Sequence, residues 1–187
     1  MALEREQVEL AARGDVPAFL AIWSAHRDAV YRFAAWMLAD PAAAEDVAQE
    51  CFLVLLQHPR RFDPARASLR IFLLAVARNQ CRIRWRGAQR EDPLEECEDL
   101  PAPEAAAGGF ASSQIADVLN AAIARLPPLQ REALFLFEYE ELSLEDAAAV
   151  AGIDIGTLKS RLFRDRQRLK RELRWLTQEN SKYGSRS

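Results

Sequence analysis

Lys159, Ser160, Phe163 and Arg164 follow one another at spacings that put all four on one side of a helix near its start. Lysine and arginine can reach guanine O6 and N7, a serine hydroxyl bonds either kind of edge atom, and an apolar ring can meet a thymine methyl. This is chemistry for reading base pairs. Thr157, Arg161, Arg166 and Arg168 are better suited to gripping phosphate, which fixes register without conveying base identity. The acids of the stretch are few, Asp165 and Glu172, so the cations are not expected to be laced into neutralising pairs along the helix. A polyanion is the partner that such a charge distribution suits.

The elements that must position these side chains are legible nearby. Ser143 is a helix cap, with Asp146 three residues on to complete a capping box, and the small run of Ala147, Ala148, Ala149 and Ala151 lets another helix approach closely. Gly152 ends that helix, since glycine takes the left-handed conformation at no steric cost, and Asp154 starts the next. Leu158, Leu162, Leu169, Leu173 and Leu176 recur at steps of three, four and seven, an inward stripe opposite the basic face. A short capped helix, a glycine turn and a basic second helix form the pattern of a helix-turn-helix.

A second electropositive footprint lies between His58 and Arg90, where Arg60, Arg61, Arg66, Arg70, Arg78, Arg82, Arg84, Arg86 and Arg90 face a single acid, Asp63. Phe62, Phe72 and Trp85 interleave with them, the composition expected where unstacked bases meet flat side chains. Phe62 and Phe72 equally suit a core in which only the arginines are functional. Asn79 either caps local backbone or hydrogen-bonds a splayed base. In residues 41–57, Val47, Cys51, Val54 and Leu55 make a core stripe, while Asp46, Gln49, Glu50 and Leu53 lie toward another side, as a docking surface or as a solvated face.

The whole chain bounds these readings. It has 187 residues, half of them hydrophobic, few glycines and a net charge of only −3, so its basic regions are segregated rather than dominant, and distribution outranks the total. An all-α fold is expected, with helices over residues 5–13, 16 or 17 to about 38, 41–57, 68–86, 115–126 and 129–140 before the helix-turn-helix. Residues 87–112 break the helical pattern with three prolines, paired glycines and seven acids, a composition poor in the apolar surface needed for order. This divides the chain into a helical domain at 1–86, a flexible acidic linker at 87–112, a second helical domain at 113–177 and a loose tail at 178–187. Cys51, Cys81 and Cys97 with His26 and His58 match no zinc pattern, and no phosphate loop or nucleophile with a base is present. No cofactor, metal or catalytic residue is expected. Neither a signal core nor a membrane-length apolar run occurs, so a reducing cytoplasm is the expected location.

Both ends resemble one family, the extracytoplasmic-function group of the sigma-70 family, small alternative sigma factors of bacterial RNA polymerase. AEDVAQECFLVLL followed by FLLAVARNQCRIRWR is similar to the family's region two. LNAAIARLPPLQREALFLFEYEELSLEDAAAVAGIDIGTLKSRLFRDRQRL is similar to its region four. The resemblance implies a non-enzymatic protein that binds core RNA polymerase and promoter DNA, assists melting, associates with the nucleoid in holoenzyme and is held off by an anti-sigma factor.

By that resemblance, Asp46, Gln49, Glu50 and Leu53 dock on the polymerase clamp helices. Asp63, Arg66, Ser68 and Asn79 line a pocket for an extruded base within the minus-ten segment that also holds Phe62 and Phe72, and Arg82, Arg84 and Arg86 hold the adjacent backbone. Lys159, Ser160, Phe163 and Arg164 match positions that read the minus-thirty-five element, and the acidic linker threads the polymerase. The chain departs from the family in having Phe72 for the usual Trp, Ile83 for Asp, and Asp165 where a small residue is common. An acid at 165 is expected to trim phosphate affinity or reject a base. Two rivals are an ordinary helix-turn-helix regulator, which has no use for the second basic segment, and a sigma mimic, which would lack the base-reading cations.

Overall fold

A computed structural model of the chain describes residues 2–88, 118–119, 121–123 and 125–174. Most of the acidic linker and the tail therefore lie outside the described residues. Four helices build the amino-terminal half: α1 (Ala2–Ala12), α2 (Val16–Leu38), α3 (Pro41–Gln57) and α4 (Leu69–Ala88). Their starts follow from local chemistry. Asp15 accepts the Ala18 amide at 2.8 Å with Pro17 in the first turn, and Asp40 accepts the Ala42 and Ala43 amides at 2.9 and 3.1 Å with Pro41 opening α3. A side-chain acceptor satisfies amides that have no carbonyl partner inside the helix, and proline supplies none to satisfy.

α2 is the central helix, packing on α1, α3 and α4. Phe33 and Met37 from α2, Val47, Cys51 and Leu55 from α3, and Leu73 and Leu74 from α4 are all essentially removed from solvent. Of the stripe expected on α3, only Val54 is half-buried. A short 3-10 turn, Pro59–Arg61, leads into the bend before α4.

The carboxy-terminal half holds α5 (Pro128–Leu134), α6 (Leu144–Ala151) and α7 (Ile155–Glu172); residues 118–119 and 121–123 are helical as well. The helix expected over 129–140 is regular only as far as Leu134. It then widens into a π turn, Phe135–Tyr139, closed by the Glu140 amide on the Phe135 carbonyl at 3.0 Å. The wider turn stacks Phe135 and Tyr139 with centroids 5.6 Å apart and planes 8° apart.

Those two rings meet the other half of the molecule. Trp36 contacts Phe135 and Tyr139 at centroid distances of 5.0 and 4.8 Å, and Phe33 meets Phe135 edge-on at 5.7 Å. Such pairs contribute about 0.5–1.5 kcal/mol each beyond area burial. One apolar cluster runs from Val8 in α1 through α2, α3 and α4 to Ala133, Leu142, Val150 and Leu162. The two helical segments are thus packed together through a common seam, although the sequence places a linker between them. Among the described residues no helix is long and apolar enough to cross a membrane.

Candidate nucleic-acid interface

The helix-turn-helix is built by three local devices. Ser143 Oγ accepts the Asp146 amide at 3.0 Å and donates its hydroxyl to the Asp146 carboxylate at 2.9 Å. Gly152 takes φ +62° at the end of α6. Asp154 then accepts the Thr157 amide at 2.8 Å and the Thr157 hydroxyl at 2.6 Å, bonds that hold its carboxyl below the usual range.

From this start α7 turns Leu158 and Leu162 inward and leaves Lys159, Ser160, Phe163 and Arg164 exposed, Phe163 by 64%. A phenylalanine ring in water at the start of a capped basic helix is costly unless something covers it. Ser160 Oγ donates to the Gly156 carbonyl at 3.0 Å, and Arg164 Nε lies 3.4 Å from the Ser160 carbonyl.

The cations expected to grip phosphate are all engaged inside the molecule, contrary to the expectation that they lack neutralising partners. Arg161 lies 3.7 Å from Glu132, Arg166 Nε donates to Glu138 at 3.2 Å beneath the Phe137 ring, and Arg168 Nε donates to Glu172 at 3.3 Å. Two of the three acids come from α5 and the π turn, which no spacing along α7 discloses. Thr157 is spent on the cap.

Asp165 overturns one arm of a second expectation, the rejection of a base. It is 0% exposed and faces the interior, neither carboxylate oxygen makes a hydrogen bond, and burial pushes its carboxyl up to about 7 against the pull of Arg164, Arg161 and Arg168. A carboxylate with no path to the outward face cannot reject a base. The signal was available: Leu158, Leu162, Asp165 and Leu169 continue one stripe at steps of four, three and four.

In the amino-terminal half, Phe72, Asn79 and Arg86 recur at steps of seven and share one outward face of α4; Asn79 and Arg86 are exposed and Phe72 is half-buried. Asn79 stands well inside α4, where no helix end needs a cap. Asp63, Arg66 and Ser68 are exposed in the bend that leads to α4, where Asp63 accepts the Ala65 amide at 3.0 Å and Ser68 Oγ lies 3.4 Å from the Ile71 amide. Phe62 does not join them. It is 0% exposed, packed against Phe72 at 5.7 Å with its carbonyl accepting from Arg5 at 2.9 Å; as core it cannot stack on a base. Arg82 neighbours Arg78 and Arg86 closely enough for their charges to lower its proton affinity, after burial itself. Arg84 turns the other way and makes a two-pronged pair with Glu50 on α3, at 2.9 and 3.0 Å.

On α3, Asp46 and Gln49 are exposed, Leu53 is 51% exposed, and Glu50 is half-buried by its pair with Arg84. Val47, Cys51 and Leu55 fill the face behind them. Buried Cys51 and Cys81 are held as thiols, with burial pushing Cys81 up to about 12 and Cys51 further still. Among the described residues no group of His, Cys, Asp and Glu is arranged to hold a metal ion.

Sequence spacing missed the ion pairs and the hydrogen bond that cross the seam. Arg78 Nε donates to Glu132 at 2.6 Å, Arg32 Nη2 donates to Glu140 at 3.0 Å, Arg70 donates to the other oxygen of Glu140, and Arg131 Nη1 donates to the Trp36 carbonyl at 3.0 Å. The partners are 54 to 108 residues apart in the chain, beyond any local pattern.

Comparison with known proteins matches the two halves separately. Sigma-70 region 2 matches residues 22–91 and Sigma-70 region 4 matches residues 109–169. The chain is 38% identical over 166 residues to the ECF RNA polymerase sigma factor SigC of Mycobacterium tuberculosis, covering 85% of each. It is 32% identical over 169 residues to the ECF RNA polymerase sigma factor SigE of Mycolicibacterium smegmatis, where it spans 64% of the relative's length. Among solved structures, the sigma factor RpoE in complex with the anti-sigma factor NepR from Bartonella quintana is similar at a TM-score of 0.63 and 30% identity, over 85% of this chain and 98% of that one.

Proposed function

The chain belongs to the extracytoplasmic-function group of the sigma-70 family, and from that premise we infer that it is an alternative sigma factor that binds core RNA polymerase and directs promoter-specific initiation. Sigma factors are DNA-binding regulators, and in this reading RNA synthesis belongs wholly to the core enzyme.

The observation that carries the reading is the outward presentation of Lys159, Ser160, Phe163 and Arg164 on a helix whose opposite stripe is buried. These side chains read the minus-thirty-five element. Asn79 and Phe72, with Asp63, Arg66 and Ser68 in the bend below, take the minus-ten strand, and Arg82 and Arg86 track its backbone. Opening the duplex costs a few kcal/mol per unstacked step, and capture of a splayed base offsets part of it. Asp46, Gln49, Glu50 and Leu53 form the docking face for the polymerase. Arg84 acts there by orienting Glu50 rather than on DNA, as the two-pronged pair supports.

A good bidentate base contact contributes about 1–3 kcal/mol, too little for one helix to select a promoter in a genome. The polymerase scaffold raises the effective concentration of each reader for its block. The partners are therefore core polymerase, promoter DNA and an inhibiting anti-sigma factor, the last supported by the likeness to a sigma factor solved with one. The working location is the cytoplasm, at the nucleoid once in holoenzyme.

The test is reconstitution. Purified chain mixed with core polymerase should co-elute with it and yield run-off transcripts from a cognate promoter. Asp46→Ala with Leu53→Ala should weaken co-elution without unfolding the chain. Absence of co-elution for the unaltered chain overturns the reading.

A further inference from the structure

Arg78 and Arg82 stand one turn apart on α4, and Arg161 reaches the same place from α7. Glu132 of α5 meets both elements. One of its oxygens accepts from Arg78 Nε at 2.6 Å, while the other lies 3.7 Å from Arg161 Nη1, too far for a hydrogen bond. The two atoms across that gap, Glu132 Oε2 and Arg161 Nη1, are buried and make no hydrogen bond. Among the described residues Arg82 makes no ion pair, although it is half-buried.

Three guanidinium groups thus face one carboxylate, an excess of two positive charges. Arg78 and Arg161 keep only 9% and 15% of their side chains in solvent, and buried cations call for a partner. After burial itself, Arg78 and Arg86 lower the proton affinity of Arg82, and Arg78 and Arg164 lower that of Arg161 against the pull of Glu132. Gly152 bounds the place on one side, where a Cβ would come within 3.2 Å of Arg78 Nη1.

We propose that Arg78, Arg82 and Arg161 form a binding site for a small phosphate-type dianion at the junction of α4, α5 and α7, the ligand being free phosphate, pyrophosphate or the phosphate end of a nucleotide. A phosphate group carries about −1.5 to −2 charges at pH 7, the amount that the three arginines and Glu132 leave unmatched. Guanidinium forks pair with its oxygens through parallel hydrogen bonds. Arg161 Nη1 is a donor with nothing to bond, and half-buried Arg82 is the member that solvent reaches most readily. A monoanion such as acetate or chloride leaves one positive charge over.

The experiment uses the full chain without polymerase or DNA. Thermal unfolding is followed by circular dichroism in phosphate, acetate and chloride at equal ionic strength, and phosphate, pyrophosphate and ATP are each titrated calorimetrically. Tm should rise with the logarithm of phosphate concentration and should not do so in acetate or chloride. Binding should saturate at a single ligand per chain. Arg161→Gln and Arg82→Gln should each weaken it about tenfold or more, the loss expected for a charged hydrogen bond. Arg61→Gln, which removes an exposed cation elsewhere, should leave it unchanged, and Glu132→Gln should tighten it because a competing negative charge is gone.

Whichever of the three probes binds tightest identifies the source of the phosphate group. A Tm that follows ionic strength alone, or an affinity that falls as far for Arg61→Gln as for Arg161→Gln, overturns the proposal. Should Glu132→Gln unfold the chain, Arg82→Gln, which breaks no ion pair, decides the matter against Arg61→Gln. The functional reading above neither supplies nor requires this ligand, so run-off transcription by the unaltered chain is a separate question from the titration.

Discussion

Arg78 Nε donates to Glu132 Oε1 at 2.6 Å, and a Cβ placed on Gly152 would come within 3.2 Å of the same guanidinium. One buried arginine from α4 thus touches both α5 and the turn of the helix-turn-helix. A side chain at position 152 meets two obstacles, the left-handed φ of +62° and the arginine. Gly152→Ala should lower stability in urea by about 1–2 kcal/mol from the backbone alone. In a cycle with Arg78→Ala the two changes should couple, because crowding disappears with the guanidinium. An unaltered urea midpoint, or strict additivity, contradicts this geometry.

Asp165 makes stability depend on pH in an unusual direction. Its carboxyl is raised from 3.8 to about 7, so the folded chain holds a proton that the unfolded chain releases. The group costs nothing below about pH 4, and its cost grows as pH rises toward 7. At 1.36 kcal/mol per unit the penalty reaches at most about 4 kcal/mol. Asp165→Asn should therefore match the parent's Tm near pH 4 and exceed it above pH 7. The same Tm difference at both pH values is incompatible with a buried, unpaired acid.

Base reading and phosphate gripping predict different losses. Lys159→Ala and Arg164→Ala should each reduce transcription from a cognate promoter by about 1–3 kcal/mol, roughly five- to more than a hundredfold, and relax preference at one base pair. Arg166→Ala should weaken holoenzyme binding evenly across promoter sequences and lower the salt slope by about 1. Its pair with Glu138 holds the guanidinium in place, so Glu138→Gln should give a smaller loss of the same kind. Equal sequence dependence for all of these variants argues against the division of labour on α7.

The Arg84–Glu50 pair ties a residue expected on DNA to one expected on polymerase. If Arg84 positions Glu50, Arg84→Ala should lower affinity for core polymerase and leave the salt slope of DNA binding unchanged. Arg84→Lys should restore affinity only in part, since lysine lacks the two-pronged geometry. A salt slope reduced by about 1 with polymerase affinity intact places Arg84 on DNA instead.

What the sequence disclosed was local. The starts expected at residues 16 or 17 and at 41 coincide with those of α2 and α3, where the structure adds the caps Asp15 and Asp40 that the sequence reading had not named. Ser143, Gly152 and Asp154 mark the helix-turn-helix because a cap acts within one turn. The quartet on α7 was legible because helical spacing alone decides which side chains share a face. Phe62 and Phe72 were ambiguous because an aromatic ring suits both a core and a base, and only packing buried Phe62. Glu132 and Glu140 left no mark because their partners lie far along the chain. The π turn stayed hidden because the apolar spacing of Phe135–Tyr139 fits an ordinary helical period equally well. Asp165 was misplaced by attending to its charge rather than to its register within the leucine stripe.

The most direct test of the central claim is to map transcript 5′ ends made in vitro by core polymerase on genomic DNA, with and without this chain. A sigma factor of this kind gives a new set of start sites preceded by two shared sequence blocks at fixed spacing, with the upstream block lost as a determinant for Lys159→Ala, Arg164→Ala protein. Start sites distributed as for core polymerase alone would contradict the claim.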